Sequence, residues 1–137
     1  MQLKSRVETF ELGAEVMPGI VSVPTTWHTP GHTSFNITLG GGPSVFFAGD
    51  ALGIVALSIE NPWFRNRVDS FPEQGVVGRY ALLDQLAAEQ ALVIPYHARF
   101  PGIGQVTPLG PLQFSWVPWQ WLGSTKVVAQ GECTVGA

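Results

Sequence analysis

Apolar residues along this chain come in short runs separated by glycine and proline, a pattern typical of strands and turns. Continuous apolar runs at 20–23, 44–48 and 91–94 predict strands, and the alternation of apolar and polar residues at 35–39 predicts a half-buried strand. Shorter or looser patterns predict three more extended segments: a strand or arm at 3–12, and strands at 113–117 and 126–129. Residues 51–59 are apolar but unpatterned, which predicts a loop or a short helix.

One stretch, residues 72–90, has the spacing of an amphipathic helix. It begins with proline in the first turn, and Ser70 or Asp69 is the candidate N-cap. Gly75 and Gly78 weaken it, each by about 1 kcal/mol against alanine. Because a strand follows this helix directly, the class is α+β. The predicted apolar face consists of Val76, Tyr80, Leu83, Leu86 and Ala87.

The composition narrows the function classes. Only 12% of the 137 residues are charged while 45% are hydrophobic, so a large face of the chain should need covering. The net charge of −3 and the absence of Lys/Arg runs argue against a nucleic-acid partner. No apolar run is long enough to span a membrane, and the N-terminus has no signal peptide. The location stays open between the cytoplasm and, if a signal precedes this chain, the periplasm or the exterior.

The three histidines of the chain all follow apolar runs. His28 and His32 lie four residues apart in a Thr/Pro/Gly turn after the run 20–23. Asp50 follows the run 44–48, and His97 follows the run 91–94. Taken singly, each is readily explained as a hydrogen-bonded structural residue or a turn residue. Together they bring imidazole and carboxylate ligands to neighbouring strand ends, which predicts a metal site.

These segments resemble the metallo-β-lactamase-fold hydrolases. The segment HTPGHTSF (28–35) is similar to the GHTPGHTSF segment of that superfamily, and VFFAGDAL (45–52) to the strand and aspartate that follow it. The run LVIPYHARFPGIGQV (92–106) is similar to the subgroup that includes methyl parathion hydrolase and lactonase-like enzymes. The similarity covers roughly residues 10–118. It also includes Phe64-Arg65, Val68-Asp69, Pro72-Glu73, Arg79 and Leu82-Leu83-Asp84.

The resemblance implies a role for each candidate residue. It makes His28 a ligand of the first metal, Asp50 the bridging and catalytic carboxylate, and His97 a ligand of the second metal. His32 would support these ligands without binding a metal itself. An alternative alignment, on a GHTxxN motif, makes His32 the ligand instead. The 22-residue spacing from His28 to Asp50 fits the subgroup better than the 18 from His32. Two positions depart from the family pattern, Trp27 in place of glycine and Gln105 in place of histidine.

The resemblance also implies that residues 1–137 form a partial domain. The family's HxHxDH motif precedes these elements and supplies two ligands to each metal, and the sequence does not contain it. The expected fold is therefore the C-terminal half of an αββα sandwich, a mixed sheet with one packed helix. Its exposed sheet face should pack on an N-terminal half or on another copy in a homo-oligomer.

The implied activity is hydrolysis of small-molecule esters, lactones or phosphotriesters. Two zinc ions are expected, with manganese or iron as alternatives; Asp50 would help to hold and orient the attacking water. The chain alone should be inactive. Two other hypotheses stay open. One is a non-catalytic remnant; the other is a single-metal site of His28, Asp50 and His97, a set that suits Fe(II) or zinc.

Overall fold

The computed structural model describes residues 6–38 and 40–120. The strands of this part form one seven-stranded sheet whose order follows the chain. Every neighbouring pair is antiparallel except β4 and β5, which are parallel. The strands are β1 (Glu15–Met17), β2 (Ile20–Pro24), β3 (Thr33–Thr38), β4 (Ser44–Gly49), β5 (Leu92–Pro95), β6 (Gly104–Gly110) and β7 (Gln113–Pro118).

The parallel pair determines where the candidate site lies. Between β4 and β5 the chain forms a 3-10 turn (Asp50–Leu52), the short helix α1 (Val55–Ser58) and the long helix α2 (Pro72–Ala88). Phe46 pairs with Val93 in the register of the two strands. Because parallel strands end at the same edge of a sheet, the residues that follow β4 and β5 emerge side by side. Asp50 and His97 are two of these residues.

Helix α2 covers one face of the sheet. Its Leu83 and Leu86 are almost fully buried and pack with Phe46 and Val93 in the core. Full burial of a large aliphatic side chain contributes about 1.5–3 kcal/mol, so this layer contributes strongly to the stability of the fold. The other buried members of the core are Ala48, Leu52, Ile59, Leu82, Ala91, Val106 and Phe114.

The opposite face of the sheet is apolar and only partly covered. Phe35, Phe47 and Ile94 lie in register across three neighbouring strands, so their side chains share this face. All three are half-buried. The N-terminal arm lies over one end of the face, where the ring of Phe10 contacts that of Phe35 at a centroid distance of 6.1 Å. Within the described residues, no second sheet or helix covers the rest.

The predicted class and elements are confirmed, with some corrections. The strands predicted at 20–23, 35–39, 44–48, 91–94 and 113–117 are all present with shifted ends. The segment 51–59 contains the 3-10 turn and α1. Residues 7–11 form no strand, so of the two alternatives for 3–12 only the extended arm fits there. The strand predicted at 126–129 lies outside the described residues. No described helix has the length and hydropathy needed to cross a membrane.

The predicted N-cap of α2 was wrong. The helix begins after Phe71 and has no side-chain cap, and the carboxylate of Asp69 bonds instead to His28 and Arg79. A cap prediction uses only local propensity, whereas this carboxylate is taken by partners far away in sequence. The predicted apolar face was also incomplete, because Arg79 is buried on it.

The two glycines of α2 give the helix room to approach the turn that contains His28. A Cβ at Gly78 would lie 2.6 Å from Cε3 of Trp27, and a Cβ at Gly75 would lie 2.9 Å from Oδ2 of Asp69. Real Cβ contacts of that length do not occur, so a larger residue would push the helix away. The low helix propensity of these glycines is therefore offset by close packing.

We expect Gly78→Ala to destabilise the chain, although alanine in an exposed helix would stabilise it by about 1 kcal/mol. The overpacked contact with Trp27 should cost about 1–3 kcal/mol. The measurement is the midpoint of urea unfolding. Val77→Ala is the control, because Val77 lies on the exposed side of the same turn and its replacement should change the midpoint little. A midpoint raised by Gly78→Ala would contradict the close packing.

Candidate metal centre

The turn between β2 and β3 holds His28 beside the start of α2. The backbone N–H groups of Ser70 and Phe71 donate to the carbonyls of His28 and Trp27 at 2.8 and 3.0 Å. These two bonds join the histidine turn to the segment that leads into α2. The position of His28 therefore depends on the docking of that helix.

Three of the predicted site residues meet at one edge of the sheet. Nε2 of His28 lies 3.6 Å from Oδ2 of Asp50, and Nε2 of His97 lies 3.0 Å from Oδ1 of the same carboxylate. Asp50 is thus placed between two imidazoles, with one on each oxygen. The side chains range from buried to open, with exposed fractions of 12% for His28, 35% for Asp50 and 57% for His97. The edge is accessible to a small molecule.

Backbone bonds fix His97 next to Asp50. The N–H of His97 donates to the carbonyl of Gly53 at 3.0 Å, and the N–H of Tyr96 donates to that of Gly49 at 3.3 Å. A Cβ at Gly53 would lie 3.3 Å from Cδ2 of His97, so glycine there lets the 3-10 turn lie close to the ring. Gln105, one of the departures from the family pattern, donates to the carbonyl of Gln90 and not to these residues.

His32 holds the backbone of Asp50 and not its carboxylate. The N–H of Asp50 donates to Nε2 of His32 at 3.1 Å. Since Nε2 accepts, the neutral ring carries its proton on Nδ1, which donates to Thr25 Oγ1 at 2.7 Å. Thr25 then donates to Ser34 at 3.0 Å, and Ser34 donates to the carbonyl of Ala48 at 2.9 Å. Every donor in this chain of bonds therefore has an acceptor.

The environment of His32 favours that neutral ring. Burial lowers the pKa of His32, the nearby His28 lowers it further, and the carboxylates of Asp50 and Asp69 act in the opposite direction. Gly49, which precedes Asp50, has a φ of 55°, and a Cβ there would lie 2.8 Å from Nε2 of His32. Only glycine suits both the backbone conformation and the close ring.

Two further residues lie behind His28, and the sequence reasoning did not assign them to the site. Nδ1 of His28 is 2.9 Å from Oδ1 of Asp69, whose Oδ2 accepts from Nη1 of Arg79 at 2.8 Å. Arg79 also donates to the carbonyls of Pro62, at 3.3 Å, and Phe64. The side chains of Asp69 and Arg79 are both 2% exposed.

The sequence did contain a signal for this pair. Arg79 stands in register with Leu82, Leu83 and Leu86, at the i, i+3, i+4 and i+7 positions of one helix face. A buried guanidinium needs a carboxylate partner, so a charge on that stripe predicts one. The strand ends and the helix pattern alone could not identify which carboxylate it is.

The donor atoms suit a zinc-class metal, but the described residues supply too few of them for a complete site. His28 and one oxygen of Asp50 face each other, as do His97 and the other oxygen, and imidazole and carboxylate are ligands that zinc takes. Within residues 6–38 and 40–120, no group of three or more His, Cys, Asp or Glu side chains is arranged to hold a metal ion. The residues therefore fit a share of a metal centre, and the remaining ligands would have to come from elsewhere.

A pocket lies away from this edge. It has a volume of about 470 Å³, between the loop at 60–63, Tyr80 of α2 and the turn that joins β6 to β7. None of the three candidate ligands lines it. The candidate metal centre therefore lies at an open edge of the sheet and not in this cavity.

Comparisons with known proteins give matches only at the level of structure. No family model and no curated protein sequence matches the chain. The solved structure of AidC, a dizinc quorum-quenching lactonase in complex with a product, N-hexnoyl-L-homoserine, superposes with a TM-score of 0.77 at 21% identity and covers 88% of this chain. The hydrolase AbOPH, of the beta lactamase superfamily, superposes with a TM-score of 0.78 at 27% identity over 86% of the chain.

A third structure, a probable metal-dependent hydrolase from Staphylococcus aureus, has a TM-score of 0.69 and 21% identity over 87% of the chain. The match takes in only 40–42% of the length of these three structures, so this chain spans about two fifths of them. The resemblance predicted from the sequence is confirmed: the chain has part of the fold of the metallo-β-lactamase superfamily of hydrolases.

Proposed function

We propose that this chain supplies part of a dinuclear zinc centre in a hydrolase of esters, lactones or phosphotriesters. The observation that carries the proposal is the position of Asp50, whose two oxygens face Nε2 of two different histidines. With one oxygen toward each histidine, Asp50 could contribute a ligand to two neighbouring ions. His28 would hold one ion and His97 the other, while His32 keeps the backbone of Asp50 in place.

The bound metal would supply a Lewis acid and lower the pKa of a water molecule. This chain's own residues would place that chemistry. Asp50 would set the spacing of the two positions and orient the attacking water. His28, at 12% exposure, would form the inner wall of the site, and His97, at 57% exposure, the side open to a substrate. The lactonase that shares the fold supports lactones among these substrates, and the two other hydrolases support hydrolysis in general.

The remaining ligands would come from a second half of the domain, bearing the HxHxDH motif. Two observations support this part of the proposal. The chain matches about two fifths of the length of the solved hydrolases. One face of its sheet also carries half-buried apolar side chains, Phe35, Phe47 and Ile94 among them, which a second sheet would cover.

A single-metal site built from the same three residues is the second candidate. It would need both histidines to approach one ion together with one carboxylate oxygen. The two histidines face opposite oxygens of Asp50, and this favours two ions over one. The single-metal candidate and the non-catalytic remnant are therefore outcomes of the test.

The test compares the chain alone with the chain joined to an HxHxDH-bearing half taken from one of the solved hydrolases. Alone, with added zinc or manganese, it should hydrolyse lactone, ester and phosphotriester test substrates barely above background. A zinc that drives hydrolysis has about three protein ligands, and the described residues provide at most three donor side chains for two ions. The joined protein should gain hydrolysis that a chelator removes.

Two results would contradict the proposal in different ways. Chelator-sensitive turnover by the chain alone would indicate the single-metal site. A joined protein that folds, takes up zinc on the HxHxDH side only and hydrolyses none of the substrates would indicate a remnant. Metal content measured on the folded joined protein separates these results from simple misfolding.

A further inference from the structure

We propose that Asp69 is a positioning residue for His28: it holds the ring as the Nδ1–H tautomer, and Arg79 keeps Asp69 in place to do so. This arrangement leaves Nε2 of His28 unprotonated on the side of Asp50. That this nitrogen is kept free to bind a metal rests on the proposed function. The arrangement itself is a property of the chain without any metal.

The ring of His28 lies between two carboxylates. Nδ1 is 2.9 Å from Oδ1 of Asp69, which is a hydrogen-bond distance, and Nε2 is 3.6 Å from Oδ2 of Asp50, which is not. A neutral imidazole has one N–H, so its proton can serve only one of the two. The geometry assigns the proton to Nδ1.

Burial of Asp69 supports the same assignment. Its side chain is 2% exposed, so water cannot satisfy Oδ1, and within the described residues the donor to that oxygen is His28. Asp50 is 35% exposed and can be solvated. A buried carboxylate oxygen without a donor costs more than an exposed one, so the single N–H of the ring donates to Asp69 from Nδ1.

Arg79 fixes the orientation of Asp69. Its guanidinium donates to Oδ2 of Asp69 and to two backbone carbonyls, those of Pro62 and Phe64. These contacts connect α2, the 62–64 loop and the histidine turn through one buried group. Gly75 admits the carboxylate, since a Cβ there would lie 2.9 Å from Oδ2.

Without Asp69 the ring has reason to change tautomer. A proton on Nε2 could then donate to Oδ2 of Asp50, which lies on that side of the ring. The nitrogen proposed to bind metal would be blocked, and the ring would be free to rotate. Orientation of a ligand histidine by a carboxylate on its other nitrogen is a general device of metal sites.

The test is the tautomer itself, read from long-range proton–nitrogen NMR correlations of the histidine rings. The sample is the full metal-free chain, labelled with nitrogen-15, at mildly alkaline pH. The wild-type spectrum should show His28 protonated on Nδ1 and bare on Nε2. In Asp69→Asn, whose amide can donate to Nδ1, a substantial Nε2–H population should appear. Asp84→Asn removes an exposed carboxylate of the same helix and should leave His28 unchanged.

His32 gives an internal control in the same spectra. Its tautomer is set by the N–H of Asp50 and by Thr25, so Asp69→Asn should not alter it. A structural collapse of the turn would change both rings together. If Asp69→Asn does not fold because Arg79 loses its partner, the neutral pair Asp69→Asn with Arg79→Gln replaces it.

A wild-type His28 protonated on Nε2, or on both nitrogens, would overturn the proposal without any variant. So would a folded Asp69→Asn chain with an unchanged His28 pattern. In the protein completed with an HxHxDH half, Asp69→Asn should also weaken zinc binding by about 10- to 100-fold against Asp84→Asn. If the tautomers behave as stated and the completed protein shows no hydrolysis, the proposed function fails and the role of Asp69 stands.

Discussion

Asp50→Ala in the protein completed by an HxHxDH-bearing half is expected to lower kcat/KM roughly a thousandfold. The metal supplies several kcal/mol of stabilisation in such sites, and each 1.36 kcal/mol is a factor of ten in rate. The carboxylate of Asp50 faces His28 at 3.6 Å and His97 at 3.0 Å, so its loss would remove a ligand from both proposed metal positions at once. The measurement is kcat/KM with saturating zinc, together with the zinc content of each variant.

The histidine variants should differ in how much kcat/KM they lose. His28→Ala should be nearly as damaging as Asp50→Ala, because Nε2 faces the carboxylate. His32→Ala should cost less, about 10- to 100-fold, because the bond of His32 to Asp50 involves the backbone N–H and not the carboxylate. Asp84→Ala, on the exposed side of α2, is the matched control and should have wild-type activity.

Equal damage from His28→Ala and His32→Ala would favour the alternative alignment, in which His32 binds the metal. In that case Nε2 of His32 would have to give up the bond from Asp50 N–H. Wild-type activity of Asp50→Ala would contradict the bridging role altogether.

The meeting of Asp50 and His97 at one edge of the sheet was predictable because the strand pattern and the candidate ligands coincide there. The run 44–48 ends in Gly49-Asp50, and the run 91–94 leads to His97. A parallel pair joined by a helix brings such ends together, so the patterns of apolar residues and the connecting helix were sufficient. The confirmed fold class depends on the same reasoning.

The missed elements depend on contacts that no local pattern shows. Strand β6 contains Gly104, Pro108 and Gly110, which are residues that normally argue against a strand. Asp69 has the local signature of a helix cap, yet its partners are His28, 41 residues earlier, and Arg79. Tertiary hydrogen bonds decided the role of that carboxylate, and propensity could not reveal them.

Arg79→Met is expected to lower the free energy of unfolding of the chain by about 3–5 kcal/mol. The substitution leaves the 2%-exposed carboxylate of Asp69 without its cation and also removes the donor to the carbonyls of Pro62 and Phe64. Small domains are stable by about 5–15 kcal/mol, so this loss is a large share of the total. The midpoint of urea unfolding measures it.

Arg65→Met provides the matched control. Arg65 pairs with Glu73 at 3.6 Å, but both side chains are more than two thirds exposed, at 71% and 76%. Exposed pairs contribute about 0–1 kcal/mol, so this variant should unfold close to the wild type. The double variant Asp69→Leu with Arg79→Met should recover much of the stability lost in Arg79→Met, since a buried ion pair replaced by apolar residues of similar volume is often neutral. An Arg79→Met midpoint no lower than that of Arg65→Met would mean that the pair is hydrated in solution, and the fixed orientation of His28 would then lack its support.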